Sequence, residues 1–193
     1  MISTGKEALH ELVSGNRRYV VGNIIHKKRT HERREEVARR QYPIAVVVGC
    51  ADSRVPLEII FDQGFGDLFV VRTAGNVIDN AGFGSVEFAV HFLNVRLILV
   101  LGHKRCSAVQ AAIHGVEAPG HIASIIKAIA PCVRKTKDVS DKAWDAAVRA
   151  NIRMEVKRLK SSQPILKRKA LSGELLIVGG FYDLDSGKVQ ILK

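Results

Sequence analysis

Three side chains that suit a soft divalent metal lie in two short segments. One is Gly49-Cys50-Ala51-Asp52-Ser53-Arg54-Val55-Pro56; the other is Gly102-His103-Lys104-Arg105-Cys106-Ser107. Two thiolates and one imidazole form a ligand set that suits zinc. Taken singly, Cys50 reads equally well as a small buried hydrophobe, and His103 as a satisfied or solvent-facing histidine. Together they read differently, because both segments open with glycine and follow an apolar run of strand length. Three protein ligands leave one tetrahedral position open, as at a catalytic zinc. A structural site would want a fourth Cys or His nearby, and the sequence has no second Cys-x-x-Cys pair. Cys106 also opens a predicted helix, where the dipole favours the thiolate that a metal needs. Asp52 and Arg54 stand two and four residues beyond Cys50, and in an extended loop all three side chains share one side. Arg54 is then placed to hold Asp52 in a bidentate, charge-assisted pair. Cys132, after Pro131 in a helical region, has no partner pattern and reads as packing.

The elements that must position these groups are legible as apolar runs. Ile44–Val48, Leu68–Val71, Leu97–Leu101 and Leu175–Val178 are continuous, of strand length, and suited to burial on both faces. Helical patterns separate them at 56–62, 83–93, 107–114 and about 121–161. Strands alternating with helices predict a parallel sheet covered on both sides. The turn Tyr182-Asp-Leu-Asp-Ser-Gly187 leads into a short strand at 189–192, which a tight reversal makes antiparallel to the fourth. Ahead of the sheet, Ala8, Leu9, Leu12, Val13 and Tyr19 have the spacing of an amphipathic helix, with Gly15-Asn16 as a plausible interruption. Residues 30–40 predict a second helix. The expected fold is α/β: a mostly parallel four-stranded central sheet covered by helices, with an antiparallel C-terminal edge strand. It is expected as one domain over 1–193, with an N-terminal helical arm at 1–42 and an α/β core at 43–193. Ligands in such sheets bind outside the carboxyl ends of the strands, where both metal-type segments fall.

Composition narrows the function classes. The chain has 193 residues, of which 47% are hydrophobic and 25% charged, which excludes a disordered, collagen-like or coiled-coil chain. No apolar run approaches the roughly 20 residues that span a bilayer. Three cysteines and a charged N-terminus point to a reducing, cytoplasmic setting. The net charge of +11 is concentrated at 26–40 and 133–170. Both stretches read as solvated helix faces without interleaved aromatics, so nucleic-acid binding is not expected.

Cys50-x-Asp52-x-Arg54 followed by His103-x-x-Cys106 resembles the signature of the β-class carbonic anhydrases. The likeness extends along nearly the whole chain, through Leu12-x-x-Gly15-Asn16-x-Arg18-Tyr19, Ile59-Ile-Phe-Asp-Gln-Gly64, Asp67-Leu-Phe-Val-Val-Arg-Thr-Ala-Gly-Asn76, Gly84-Ser-Val-Glu-Phe-Ala89 and Tyr182–Gly187. The resemblance implies one zinc ion per chain on Cys50, His103 and Cys106, and a catalytic dyad of Asp52 and Arg54. It implies reversible hydration of carbon dioxide to bicarbonate and a proton. Gln41, in Gln-x-Pro, is similar to a glutamine that hydrogen-bonds bicarbonate, and Phe61 would line the carbon dioxide pocket. A homodimer or higher homo-oligomer is implied as well. Lys104 and Ser107 depart from the residues usual beside the ligands, while Val47 stands where a bicarbonate-inhibited subgroup has Trp. The alternatives are a hydrolase of carbon disulfide or carbonyl sulfide on the same scaffold, and a zinc-binding regulatory module without catalysis.

Overall fold

A computed structural model describes residues 2–25, 28–133 and 140–192. Five strands form one sheet: β1 (Ala45–Cys50), β2 (Leu68–Thr73), β3 (Leu97–His103), β4 (Leu176–Tyr182) and β5 (Val189–Leu192). Their order is β2-β1-β3-β4-β5. The first four run parallel, and β5 returns antiparallel to β4 with Tyr182 opposite Val189. Every residue of β1 and β3 is buried, as apolar runs without alternation require of strands covered on both faces.

The two faces carry different helices. Val46, Val48, Ile98 and Val100 point into the larger core, with Val86 and Ala89 of α4 (Asn80–Phe92), Val109 of α5 (Ser107–Ile113), Ile129 of α6 (Ile122–Val133), Ile152 of α7 (Asp141–Ser161) and Leu166 of α8 (Ile165–Leu171). Val47, Leu97, Leu99 and Leu101 point the other way, onto Ala8 and Leu12 of α1 (Gly5–Val20) and Leu57 and Ile60 of α3 (Leu57–Ile60). The short α2 (His31–Val37) buries none of its residues.

The expected interruption of the first helix at Gly15-Asn16 does not occur. The helix runs through both, and both are buried. Gly15 is there for proximity: a Cβ would lie 1.9 Å from the Phe61 carbonyl oxygen. Asn16 joins α1 to two distant segments, donating to the carbonyls of Ile60 (3.2 Å) and Gly187 (2.9 Å) and accepting from the Val189 N–H (2.9 Å). A turn-like dipeptide is thus a docking point. The long helical stretch expected near 121–161 is described as α6 and α7, with residues 134–139 outside the described residues. The sequence pattern did not separate out α8.

Candidate metal centre and its carboxylate

Because β1 and β3 are parallel neighbours with Gly49 opposite Leu101, their carboxyl ends lie side by side. Cys50 ends β1, His103 ends β3, and Cys106 is the residue from which α5 starts. The ligand atoms of Cys50, His103 and Cys106 all lie within 4.8 Å of one another, and all three residues are buried. The two sulfurs are 4.0 Å apart. Two sulfurs each bonded at about 2.3 Å to a tetrahedral zinc would stand about 3.8 Å apart, so the spacing fits.

The imidazole supplies the decisive detail. His103 is fully buried, and its Nδ1 lies 2.9 Å from the Lys104 carbonyl oxygen. A carbonyl only accepts, so Nδ1 carries the proton and Nε2 presents a bare lone pair. Among the described residues that Nε2 has no hydrogen-bond partner, although it is buried. An unsatisfied buried acceptor beside two thiols is costly unless a cation completes it. The residues present fit a zinc ion.

The Cys106 thiol donating to Cys50 holds the Cys50 thiol far below its ordinary range, and the same contact, with burial, pushes Cys106 up. The Gly75 N–H also donates to the Cys50 sulfur at 3.2 Å.

Asp52 stands next to this cluster, with Oδ2 3.8 Å from His103 Nε2. Arg54 grips it through Nε to Oδ1 (2.9 Å) and a terminal nitrogen to Oδ2 (2.8 Å), and the Arg54 backbone N–H adds a bond to Oδ1 (2.9 Å). The guanidinium holds the Asp52 carboxyl at about 2. Arg54 also reaches the Arg105 carbonyl at 3.3 Å, linking the two segments directly.

Three supports escaped the sequence analysis. Arg72, at the carboxyl end of β2, donates to the carbonyls of Cys50 (3.0 Å) and Asp52 (2.8 Å). Its signal was an arginine closing an apolar strand. Trp144, the single tryptophan, donates from α7 to the Cys106 carbonyl at 3.1 Å. Asn151, also on α7, is fully buried and donates to the Gly75 carbonyl at 2.8 Å. On α7, Trp144 is marked in the sequence only as the single tryptophan, and Asn151 is one polar residue within the helical pattern.

The carbonic anhydrase family model matches residues 45–189. "Carbonic anhydrase 2" of Mycobacterium tuberculosis is 42% identical over 184 residues, covering 93% of this chain and 89% of that protein. The chain belongs to the β-carbonic anhydrases. The structure of the Coccomyxa β-carbonic anhydrase, determined with acetazolamide, superposes with a TM-score of 0.74 at 28% identity, covering 95% of this chain and 86% of that one. A tetrameric β-carbonic anhydrase from Sordaria macrospora reaches 0.77 at 22% identity, covering 95% of this chain and 96% of that one, a likeness of fold.

Against this carbonic anhydrase framework, the chain brings Cys50, His103, Cys106, Asp52 and Arg54 together but not Gln41 or Phe61. Gln41 is exposed and lies before β1, a strand length of roughly 17 Å from Cys50. It lines a groove with Tyr42, Phe92 and Asn94 at the opposite end of the sheet. Phe61 is fully buried on the α1 face, among Leu12, Leu57 and Ile60, whereas Cys50 and Cys106 belong to the core on the other face. Lys104 does not enter the site: its ammonium pairs with Asp185 at 3.0 Å.

Proposed function

We propose that this β-carbonic anhydrase catalyses the zinc-dependent, reversible hydration of carbon dioxide to bicarbonate and a proton. The observation that carries it is the bare, buried Nε2 of His103 between two cysteine sulfurs and 3.8 Å from an Arg-held carboxylate. Cys50, His103 and Cys106 hold one zinc ion, which when bound supplies a Lewis acid that makes water a usable nucleophile near neutral pH. Asp52 is the catalytic group contributed by the chain. Held anionic by Arg54, it is an acceptor only, so it takes a hydrogen bond from the nucleophile's O–H and fixes where the lone pair points. Arg54 keeps Asp52 from swinging away, and Arg72 fixes the backbone on either side of Ala51.

The enzyme acts as a homo-oligomer. Gln41, a strand length from its own Cys50, meets bicarbonate only in the site of a neighbouring copy. Exposed Tyr42 and Phe92 beside it support an interface there. The deciding experiment is metal analysis with a carbon dioxide hydration assay. About one zinc per chain with activity is expected; a purified, folded chain that binds no zinc overturns the proposal.

A further inference from the structure

α7 packs in the same core as Cys50 and Cys106 and is tied to the backbone around both cysteines. Trp144 reaches the Cys106 carbonyl, and Asn151, two turns further along, reaches the Gly75 carbonyl. The second tie matters more, because Gly75 is the residue whose N–H donates to the Cys50 sulfur. Gly75 has a left-handed backbone (φ 66°), and a Cβ there would lie 2.7 Å from Ile129 Cδ1. Glycine is required here, and glycine by itself is the residue least able to hold one orientation. The Gly75 N–H lies on the peptide before its Cα and the Gly75 carbonyl on the peptide after it, so fixing the carbonyl's peptide restricts how the N–H can turn, and something must fix it.

Asn151 does so from a fully buried position. Its amide orientation follows from chemistry: the Gly75 carbonyl only accepts, so the NH2 group faces it and Oδ1 faces away. Oδ1 there meets the weak Cys132 thiol donor at 3.9 Å. The chain of contacts is therefore directional, running from Asn151 Nδ2 to Gly75 O, and from Gly75 N–H to Cys50 Sγ. A hydrogen bond to a thiolate withdraws charge from sulfur and lowers its donor strength, one way outer groups tune a metal.

We propose that Asn151 is a positioning residue for Cys50. Through Gly75 it holds the N–H that bonds the Cys50 sulfur, and so sets how strongly that thiolate donates to a bound metal. This rests on the zinc-site assignment above.

The test uses the full chain loaded with cobalt(II) or with cadmium-113. In the cobalt-loaded parent the thiolate-to-metal charge-transfer band marks donor strength. In Asn151→Leu, similar in size but without a donor, the band should move to longer wavelength. Cys132→Ala, which touches only the other end of the amide, should leave it in place, as should Trp144→Phe, which loosens α7 at the Cys106 carbonyl. In the cadmium-loaded parent the Gly75 amide proton should show scalar coupling to the metal across the N–H···S bond, and Asn151→Leu should lose it. If Asn151→Leu does not fold, Asn151→Ser, too short to reach Gly75, is read in the same way. An unmoved band in a folded, metal-loaded variant overturns the inference, as does an equal shift in Trp144→Phe or an absent Gly75 coupling in the parent. A parent that takes up neither metal overturns the zinc-site assignment instead.

Discussion

Arg54 closes both oxygens of Asp52 in a two-pronged grip, at 2.9 and 2.8 Å, while Asp52 faces the bare Nε2 of buried His103. The grip holds the carboxylate beside the ligand cluster. Its geometry ties together two segments far apart in sequence, since the same guanidinium reaches the Arg105 carbonyl. On the proposed function, orientation falls to Asp52 and Arg54 and ligation to Cys50, His103 and Cys106.

That division predicts that Asp52→Asn and Arg54→Ala keep their zinc but lose activity, by about 10–100-fold as for other groups that orient ligands at metals. Metal content and turnover, measured on the same samples, should separate. Cys106→Ala should lose both together. Parent-like turnover in either dyad variant would show that the carboxylate does not steer the nucleophile.

The pH dependence of stability carries a second expectation. Asp52 is held at about 2 chiefly by the Arg54 hydrogen bonds, below the ordinary aspartate value of about 3.9. A depressed carboxylate stabilises the fold above its unfolded value and loses that contribution as pH falls through the folded one. The difference in thermal midpoint between parent and Asp52→Asn should therefore be constant above about pH 5 and shrink between about pH 4 and pH 2. Arg54 is half exposed, so salt should reduce the difference. A difference that kept its full size down to pH 2 would contradict the ion pair.

Lys104 stands next to a ligand histidine, and in sequence alone its charge is a candidate influence on the site. Its ammonium instead pairs with Asp185, on the turn between β4 and β5, which Arg105 also grips. Lys104→Ala should leave the pH profile of turnover where it lies in the parent. A clear alkaline displacement in the variant would place the ammonium in the site during catalysis.

The basic surface should bind polyanions only through diffuse charge. The excess lies on lysines and arginines either side of α2, which is itself slightly acidic, and along α7 and α8, and none of these helices carries a ladder of exposed aromatics. Heparin and DNA should bind weakly and be released steeply as salt rises. Sequence-selective DNA binding at physiological salt would refute this.

Much of this was legible in the sequence because the site is built at strand ends. Buried parallel strands announce themselves as apolar runs, so the residues just beyond Val48 and Leu101 were placed on one rim before any coordinates. Cys50, His103 and Cys106 stand out there by their ligand chemistry and Asp52 and Arg54 by their spacing beyond Cys50, while the roles of all five come from the resemblance. What escaped depends on which face a residue takes and on contacts across long separations. Asn16 looked like a break, yet its amide joins Ile60, Gly187 and Val189. Asn151 is one polar residue in a helix pattern, and only the approach of α7 to Gly75 gives it a task. Gln41 lies nine residues before Cys50, but an extended strand turns that spacing into distance.

Phe61 supplies the sharpest contrast between sequence likeness and position. The resemblance of the segment Ile59–Gly64 to its counterpart in the family implies that Phe61 lines the substrate pocket. In the fold, the single helical turn of α3 directs Phe61 into the face covered by α1, where no part of it is exposed. Gly15 of α1 packs directly on its carbonyl, so the residue also marks where the N-terminal helix seats. A core role and a pocket role predict different measurements. If it is core, Phe61→Ala should cost about 3–5 kcal/mol of stability, through lost burial and the cavity left beneath α1. Phe61→Leu, which keeps most of the volume, should cost far less, and it is the informative variant for kinetics. Its KM and kcat for carbon dioxide should match the parent at a temperature where both proteins are folded. Denaturant unfolding alongside stopped-flow hydration checks both. A Phe61→Leu protein of near-parent stability with a several-fold change in kcat/KM would return Phe61 to the substrate's side of the sheet.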